Sequence, residues 1–249
     1  MPSDAEIAAA IASAARTMHE NPSVEDTLQA ICRTARDSVP GGFDEVGIST
    51  IGKGGKVTTR ASTGDLVEEL DRLQYTLGEG PCVETLRDVD VLVVPHLRHE
   101  QRWPRYVRSA LETGVRAQLA VRLYVDDQGT LGGLNLYSTT TDEIDPAAEP
   151  VAELFAAHAA IALGNARRVG QLNEALQSRK LIGQAVGILM ERYQLNEERA
   201  FAFLMRASSH GNVKLRDVAQ ELVTDHNTRE GLSPAESPRS PNDQKRPVR

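Results

Sequence analysis

Apolar residues recur along this chain with two different periods, and the changes between them mark out its elements. Residues 4–20 and 24–38 follow a helical period, and in the second Val24, Leu28, Ile31, Ala35 and Val39 share one stripe. Pro40-Gly41-Gly42 ends it. EVGISTI and KVTTRAST then read as short strands joined by Gly52-Lys53-Gly54-Gly55, a hairpin signature. A helix over roughly 65–74 leads to LGEGP at Leu77–Pro81 and a short helix to Arg87. VLVV at 91–94 reads as a brief buried strand, and Trp103 to Thr113 as a helix stopped by Gly114. VRAQLAVRLYV (115–125) and TLGGLNLYST (130–139) pair as a long hairpin across Asp126-Asp127-Gln128-Gly129. The first alternates, with Val115, Ala117, Leu119, Val121, Leu123 and Val125 on one face.

From Pro146 to about Gln177 the period is helical again, with Val151, Leu154, Phe155, His158, Ile161 and Ala162 on a stripe that Leu172 and Leu176 continue. Three further helical periods fill 178–223. Ile182, Ala185, Val186, Leu189 and Tyr193 mark the first. Asn196 caps the second, with Glu197 and Glu198 in its first turn and Ala200, Phe201, Leu204, Ala207 and Ser208 facing inward. Leu215, Val218, Ala219, Leu222 and Val223 mark the third. Helix, sheet with inserted helices, long helix and small bundle make an α+β chain. The segment after Asp225 is rich in Pro, Ser and charge and is expected to be disordered.

The most apolar stretch, LIGQAVGILM, contains Gly183 and Gly187 four residues apart, with Ala185 between them. It lasts ten residues between Arg179-Lys180 and Glu191-Arg192, whereas a membrane span needs about 20. No membrane is expected. The glycines instead suggest a close helix contact, with a helix of the same bundle or of a second subunit.

Charge divides the chain unevenly. Residues 166–249 hold 14 of its 28 basic and 10 of its 35 acidic residues, giving +4 there against −11 in residues 1–165. Two modules with different partners are implied. The N-terminus lacks the basic start of a signal peptide, and two cysteines, Cys32 and Cys82, make no disulfide framework, so a cytoplasmic protein is expected.

On the second bundle helix Arg199, Phe203, Arg206 and His210 share a stripe off the core face. Guanidinium groups that meet phosphates, beside a ring that stacks an unpaired base, suit an RNA loop. Phe203 packed on a neighbouring helix and solvated arginines remain the alternative. Arg179, Lys180, Arg192, Lys214 and Arg216 extend the basic surface. Cys82 follows Gly80-Pro81, where a helix start lowers a thiol pKa; a small buried cysteine is the plainer reading. His96, His99 and Glu100 fit a surface loop better than a metal site, and neither a metal nor a cofactor is expected.

SRKLIGQAVGILMERY, ERAFAFLMRAS and KLRDVAQELV, in this order and spacing, resemble the ANTAR domain, the RNA-binding module of bacterial antitermination regulators. The resemblance covers about 50 residues and implies binding of paired RNA hairpins in leader transcripts, by a homodimer. The family often has lysine where Val186 stands, so one positive charge is missing from the first helix. FDEVGISTI, LGEGPCVETL, VVPHLRHEQRWPRYVRSALETGVRAQLAVRL and LGGLNLYSTTTDEIDP are similar to the GAF family of sensor domains, which implies an antiparallel sheet with flanking helices. Here His96 stands where aspartate is common and Arg122 where proline is common; with Cys82 they are candidates for the ligand pocket.

The resulting expectation is an N-terminal helix (1–22), a GAF sensor (23–165), a helical linker (166–177), a three-helix ANTAR bundle (178–226) and a tail (227–249). Its function is expected to be regulatory and not enzymatic. A small molecule or an upstream signalling protein acts on the sensor, and the bundle binds RNA. A GAF-type redox enzyme resembling free methionine sulfoxide reductases, and a DNA-binding regulator using the three helices, are the alternatives.

Overall fold

The computed structural model describes residues 23–87, 89–229 and 231, in two compact units that divide at Arg168/Val169. The helix expected at 4–20 and nearly all of the tail lie outside the described residues.

The first unit contains α1 (Val24–Ser38), β1 (Glu45–Ile51), β2 (Val57–Ser62), α2 (Asp65–Leu77), α3 (Pro81–Thr85), β3 (Val91–Val94), α4 (Pro104–Glu112), β4 (Ala117–Val125), β5 (Gly129–Ser138) and the start of α5 (Ala148–Tyr193). Its five strands form one sheet in the order β2-β1-β5-β4-β3, antiparallel throughout. Both expected hairpins are present.

Period-two alternation sends different chemistry to the two faces. Val46, Ile48, Leu119, Val121, Leu123, Leu134 and Leu136 meet α1 through Leu28, Ile31, Cys32 and Ala35, and α5 through Ala152, Phe155, Ala156 and Ala159. Removing these apolar side chains from water is the main stabilising term of this layer. The other face carries Ser49, Gln118, Asn135 and Tyr137 at its centre, all buried. α2 and α4 cover it through Val67, Leu70, Tyr106, Val107 and Ala110.

The LGEGP turn is a joint between helices. Gly78 ends α2 in the left-handed region, and the Glu79 carboxylate accepts from the backbone N–H of Arg105 (3.0 Å) at the start of α4. Gly80 has φ 126°, and an added Cβ would lie 2.4 Å from Gln74 Oε1, so only glycine fits. Pro81 opens α3 at a position needing no N–H donor.

The second unit holds the end of α5, α6 (Glu197–Gly211) and α7 (Leu215–Arg229). Asn196 accepts from the Arg199 N–H (3.0 Å) and starts α6, and Asn212 ends it at φ 49°. Ala185, Val186, Leu189, Ala200, Leu204, Ala219 and Val223 make the core.

Four expectations need correction. The linking helix and the first bundle helix are one helix of 46 residues, because no Gly-Pro stop interrupts 148–193 and Gly170, Gly183 and Gly187 are tolerated singly. Phe201, expected inside, is 41% exposed because it turns to the open groove beside Ile182 and Met190, and Tyr193, which continued the apolar period, is 55% exposed with its ring against Phe203. α7 runs on to Arg229, so residues 227–229 are helical and not tail. Of the long stripe, Val151 and Phe155 are buried, whereas Leu154 and Ile161 in the first unit and Leu172 and Leu176 in the second are exposed.

Candidate nucleic-acid interface and ligand cleft

α6 places its core side chains, Ala200 and Leu204, on one side, and Arg199, Phe203, Arg206 and His210 project to solvent on another. At the end of α5, Tyr193 turns toward them. Its ring lies 6.2 Å from that of Phe203, with 26° between the planes, and both rings are about half exposed. Two offset rings with guanidinium groups on the same helix can stack an unpaired base and meet its phosphate. Tyr193 was missed because its position continues the apolar period of Leu189; only the ring itself was a signal.

The other basic candidates divide. Arg179, Lys180 and Lys214 are exposed, and Arg192 is half-buried. Arg216 is engaged: its guanidinium donates to Glu174 and Asp217, which holds its pKa above the ordinary arginine value. Val186 is 8% exposed and sits in the bundle core, so a lysine there would lie among apolar side chains. Ala185 is fully buried, but Gly183 and Gly187 are open: a Cβ added to either meets nothing within 4 Å. They face a groove with Ile182, Met190 and Phe201. No helix of the bundle uses them as contact points.

In the first unit a cleft of about 860 Å³ opens between the edge strand β2 and α2–α3. Ile51, Val57, Val83 and Leu86 supply apolar wall, Tyr75 and Thr59 polar wall, and Lys56, Arg72 and Arg87 a cationic rim. Behind this wall lies a buried polar network. Asp71, fully buried, accepts from Ser49 Oγ (2.6 Å), Thr59 Oγ1 (2.7 Å), Tyr137 OH (2.8 Å) and Asn135 Nδ2 (3.0 Å). Burial pushes its carboxyl pKa up, and the four donors offset part of that rise. Gln74 continues the network, donating to Tyr137 OH (3.1 Å) and accepting from the Cys82 N–H (2.8 Å).

A model of the GAF domain matches residues 21–164, more than half of the chain. The chain belongs to the GAF domain family. A model of the ANTAR domain matches residues 170–223, so the two units carry a GAF and an ANTAR domain. No curated protein gives a significant match. Among solved structures, the chain is similar to the GAF domain of an Acinetobacter phosphoenolpyruvate-protein phosphotransferase (TM-score 0.55, 15% identity, 69% of this chain and 99% of that one). The GAF domain of the Coxiella burnetii phosphoenolpyruvate-protein phosphotransferase is comparable (TM-score 0.53, 16% identity, 68% and 99%). The Stigmatella aurantiaca phytochrome photosensory core module matches over 81% of this chain but 45% of its own length (TM-score 0.54, 11% identity). At these identities the likeness is one of fold.

The three pocket candidates of the GAF domain do not converge. Cys82 is fully buried behind the cleft wall, its sulfur 3.2 Å from Tyr75 OH, and burial pushes its thiol pKa up to about 12. Cys32 is also buried, with a pKa of about 12 for the same reason. A helix start of five residues does not offset the loss of water, so the plainer expectation of a small buried cysteine holds and the alternative of a lowered thiol pKa does not. His96 is exposed on the turn after β3, in the left-handed region at φ 50°. Arg122 pairs with Asp90 and lies 5.0 Å over the Tyr124 ring. None of the three lines the cleft. Sequence reasoning missed Arg72 and Tyr75, though Glu68, Arg72, Tyr75 and Thr76 share the face of α2 opposite its apolar stripe. Among the described residues no cluster of His, Cys, Asp and Glu could hold a metal, and no helix is long and apolar enough to cross a membrane.

Proposed function

We propose that this GAF–ANTAR chain is a signal-responsive, RNA-binding regulator of transcription antitermination. The GAF cleft receives a small molecule, and the ANTAR bundle binds hairpins in leader transcripts so that a terminator does not form. The ANTAR match over residues 170–223, on a bundle whose outer face carries Arg199, Phe203, Arg206 and Tyr193, is the observation that carries this reading. Two copies pair through exposed apolar positions of the second unit, Val169, Leu172 and Leu176, and the open glycine groove. The protein acts in the cytoplasm. Both thiols are buried and protonated at neutral pH, which disfavours the reductase alternative, since thiol chemistry proceeds through the thiolate.

Signal transfer requires the ligand to favour one of two arrangements, since equal affinity for both shifts nothing. Sequencing the RNA that co-purifies with the full chain under native conditions tests the output. Enrichment of tandem stem-loops ahead of terminators is expected; a random RNA population, or enrichment of duplex DNA instead, overturns the reading.

A further inference from the structure

The GAF cleft has a chemistry of its own, and the identity of its ligand can be narrowed once the cleft is taken as the ligand site. Residues 1–165 carry a net charge of −11, yet this one cleft is rimmed by Lys56, Arg72 and Arg87 against a single carboxylate, Glu68. Elsewhere in the unit several arginines are matched: Arg60 with Glu25, Arg98 with Asp142, Arg102 with Glu100, Arg105 with Glu79, Arg122 with Asp90 and Arg168 with Asp127. Arg33, Arg108, Arg116 and Arg167 form no ion pair among the described residues but line no part of this cleft. Among the described residues Arg72, Arg87 and Lys56 form no ion pair, and Glu68 accepts only from Ser62.

These cations come from three segments: the turn before β2, the outer face of α2 and the residue stretch after α3. The fold therefore brings together charges that lie apart in sequence. Between them the wall is apolar (Ile51, Val57, Val83 and Leu86), with the Tyr75 ring beside it. Guanidinium groups match carboxylate, sulfonate or phosphate oxygens in fork geometry, and an apolar wall accepts a ring or hydrocarbon body. A cavity of about 860 Å³ lies within the range of small-molecule sites.

We propose that the GAF cleft, read as the ligand site, takes a small organic anion with an apolar or aromatic body, its acidic group held by Arg72 and Arg87 with Lys56 adding to the field. Two wall residues tie this site to the interior. Thr59 donates to Asp71, and Tyr75 OH lies against Cys82 Sγ, so a ligand that draws on either hydroxyl perturbs the network spanning α2, β1 and β5. A neutral ligand of equal shape lacks the charge-assisted contacts and binds less well.

The test uses the full-length protein and two probes of matched shape, naphthalene-2-sulfonate and naphthalene-2-sulfonamide, titrated by probe fluorescence at low salt. The sulfonate is expected to saturate and to bind about tenfold more tightly than the neutral sulfonamide. The double variant Arg72→Gln/Arg87→Gln is expected to erase that preference without moving the melting temperature, since both side chains are exposed. Leu86→Trp and Val57→Trp, which fill the cleft, are expected to weaken both probes. Equal affinities, an unchanged preference in the double variant, or no saturable sulfonate binding overturns the anion proposal. If both probes bind and neither responds to the two filling variants, the cleft is not the ligand site and the broader reading fails with it. If filling blocks both probes but the charge preference is absent, only the anion proposal falls.

Discussion

Tyr193, at the end of α5, lies with its ring 6.2 Å from that of Phe203 on α6, and neither ring is covered by the bundle core. The pair closes the rim of the bundle and leaves aromatic surface beside Arg199 and Arg206. If this surface stacks an unpaired base, Tyr193→Ala or Phe203→Ala should each cost about 1–3 kcal/mol in hairpin affinity. The melting temperature should change little, since exposed side chains contribute little to folding. Fluorescence anisotropy with a labelled hairpin, beside a thermal melt, separates the cases. A lower melting temperature with unchanged RNA affinity would mean that the pair packs and does not read RNA.

Not every arginine of the bundle should matter equally. Arg216 already has two carboxylate partners, Glu174 and Asp217, so meeting a phosphate means giving up those contacts. Arg199 and Arg206 form no ion pair among the described residues. Replacing either by Ala should weaken hairpin binding and reduce the slope of log affinity against log salt by about 0.7. Arg216→Ala should leave that slope nearly unchanged. Salt titrations of the three variants check this, and a larger loss for Arg216→Ala would reverse the assignment.

The glycines of LIGQAVGILM give a prediction about association. Gly183 and Gly187 have free space around a built Cβ, so nothing within the bundle requires glycine there. Alanine at either position should stabilise the helix by up to about 1 kcal/mol in the dilute monomer. The bulkier Gly187→Leu should weaken self-association, because it fills the groove in which a second copy's helix would seat. Sedimentation equilibrium reads the second effect. Unchanged association by Gly187→Leu would remove the groove from the dimer interface.

The elements were largely legible because their periods are strong: the alternation through Leu119, Val121 and Leu123 set the apolar face of β4 that packs on α1 and α5, and VLVV gave β3 its observed bounds. The continuity of α5 was hidden, since a change in which face is apolar looks like a break when only periodicity is read. The stripe of α6 proposed to face RNA was visible because charge and ring recur at helical spacing on an exposed surface. The cleft beside β2 was not. Lys56, Arg72 and Arg87 meet only after β2 and α2 pack side by side, and no local spacing encodes that. For Cys82 the place after Gly80-Pro81 left a reactive thiol open as an alternative, and only tertiary packing, which buries it completely, decides for the plainer reading of a small buried cysteine.

That burial has a measurable consequence. With both thiol pKa values pushed up to about 12, Cys32 and Cys82 should react with a water-soluble disulfide reagent at pH 8 only as fast as the unit opens. Both should react at once in denaturant. Rapid labelling of native Cys82, followed by a change in RNA affinity, would restore the redox reading.

The centre of the GAF unit should leave its mark on pH dependence. Asp71 is fully buried, and its pKa is raised above the ordinary 3.8 because burial outweighs its four hydrogen-bond donors. In the window between 3.8 and the raised native value, the folded state holds a proton on Asp71 that the unfolded chain has released. Stability from this group is therefore fully present below the unfolded pKa and is lost as pH rises through the native one. Asp71→Asn removes the titration while keeping shape, and the Ser49 and Thr59 hydroxyls can turn to accept from its amide. Melting curves of both proteins at a series of pH values isolate the term, because every other titrating group cancels in the difference. The wild-type advantage over the variant should be greatest in acid and shrink as pH rises. A gap that widens with pH would show instead that Asp71 is ionised in the folded protein and that its donors outweigh burial.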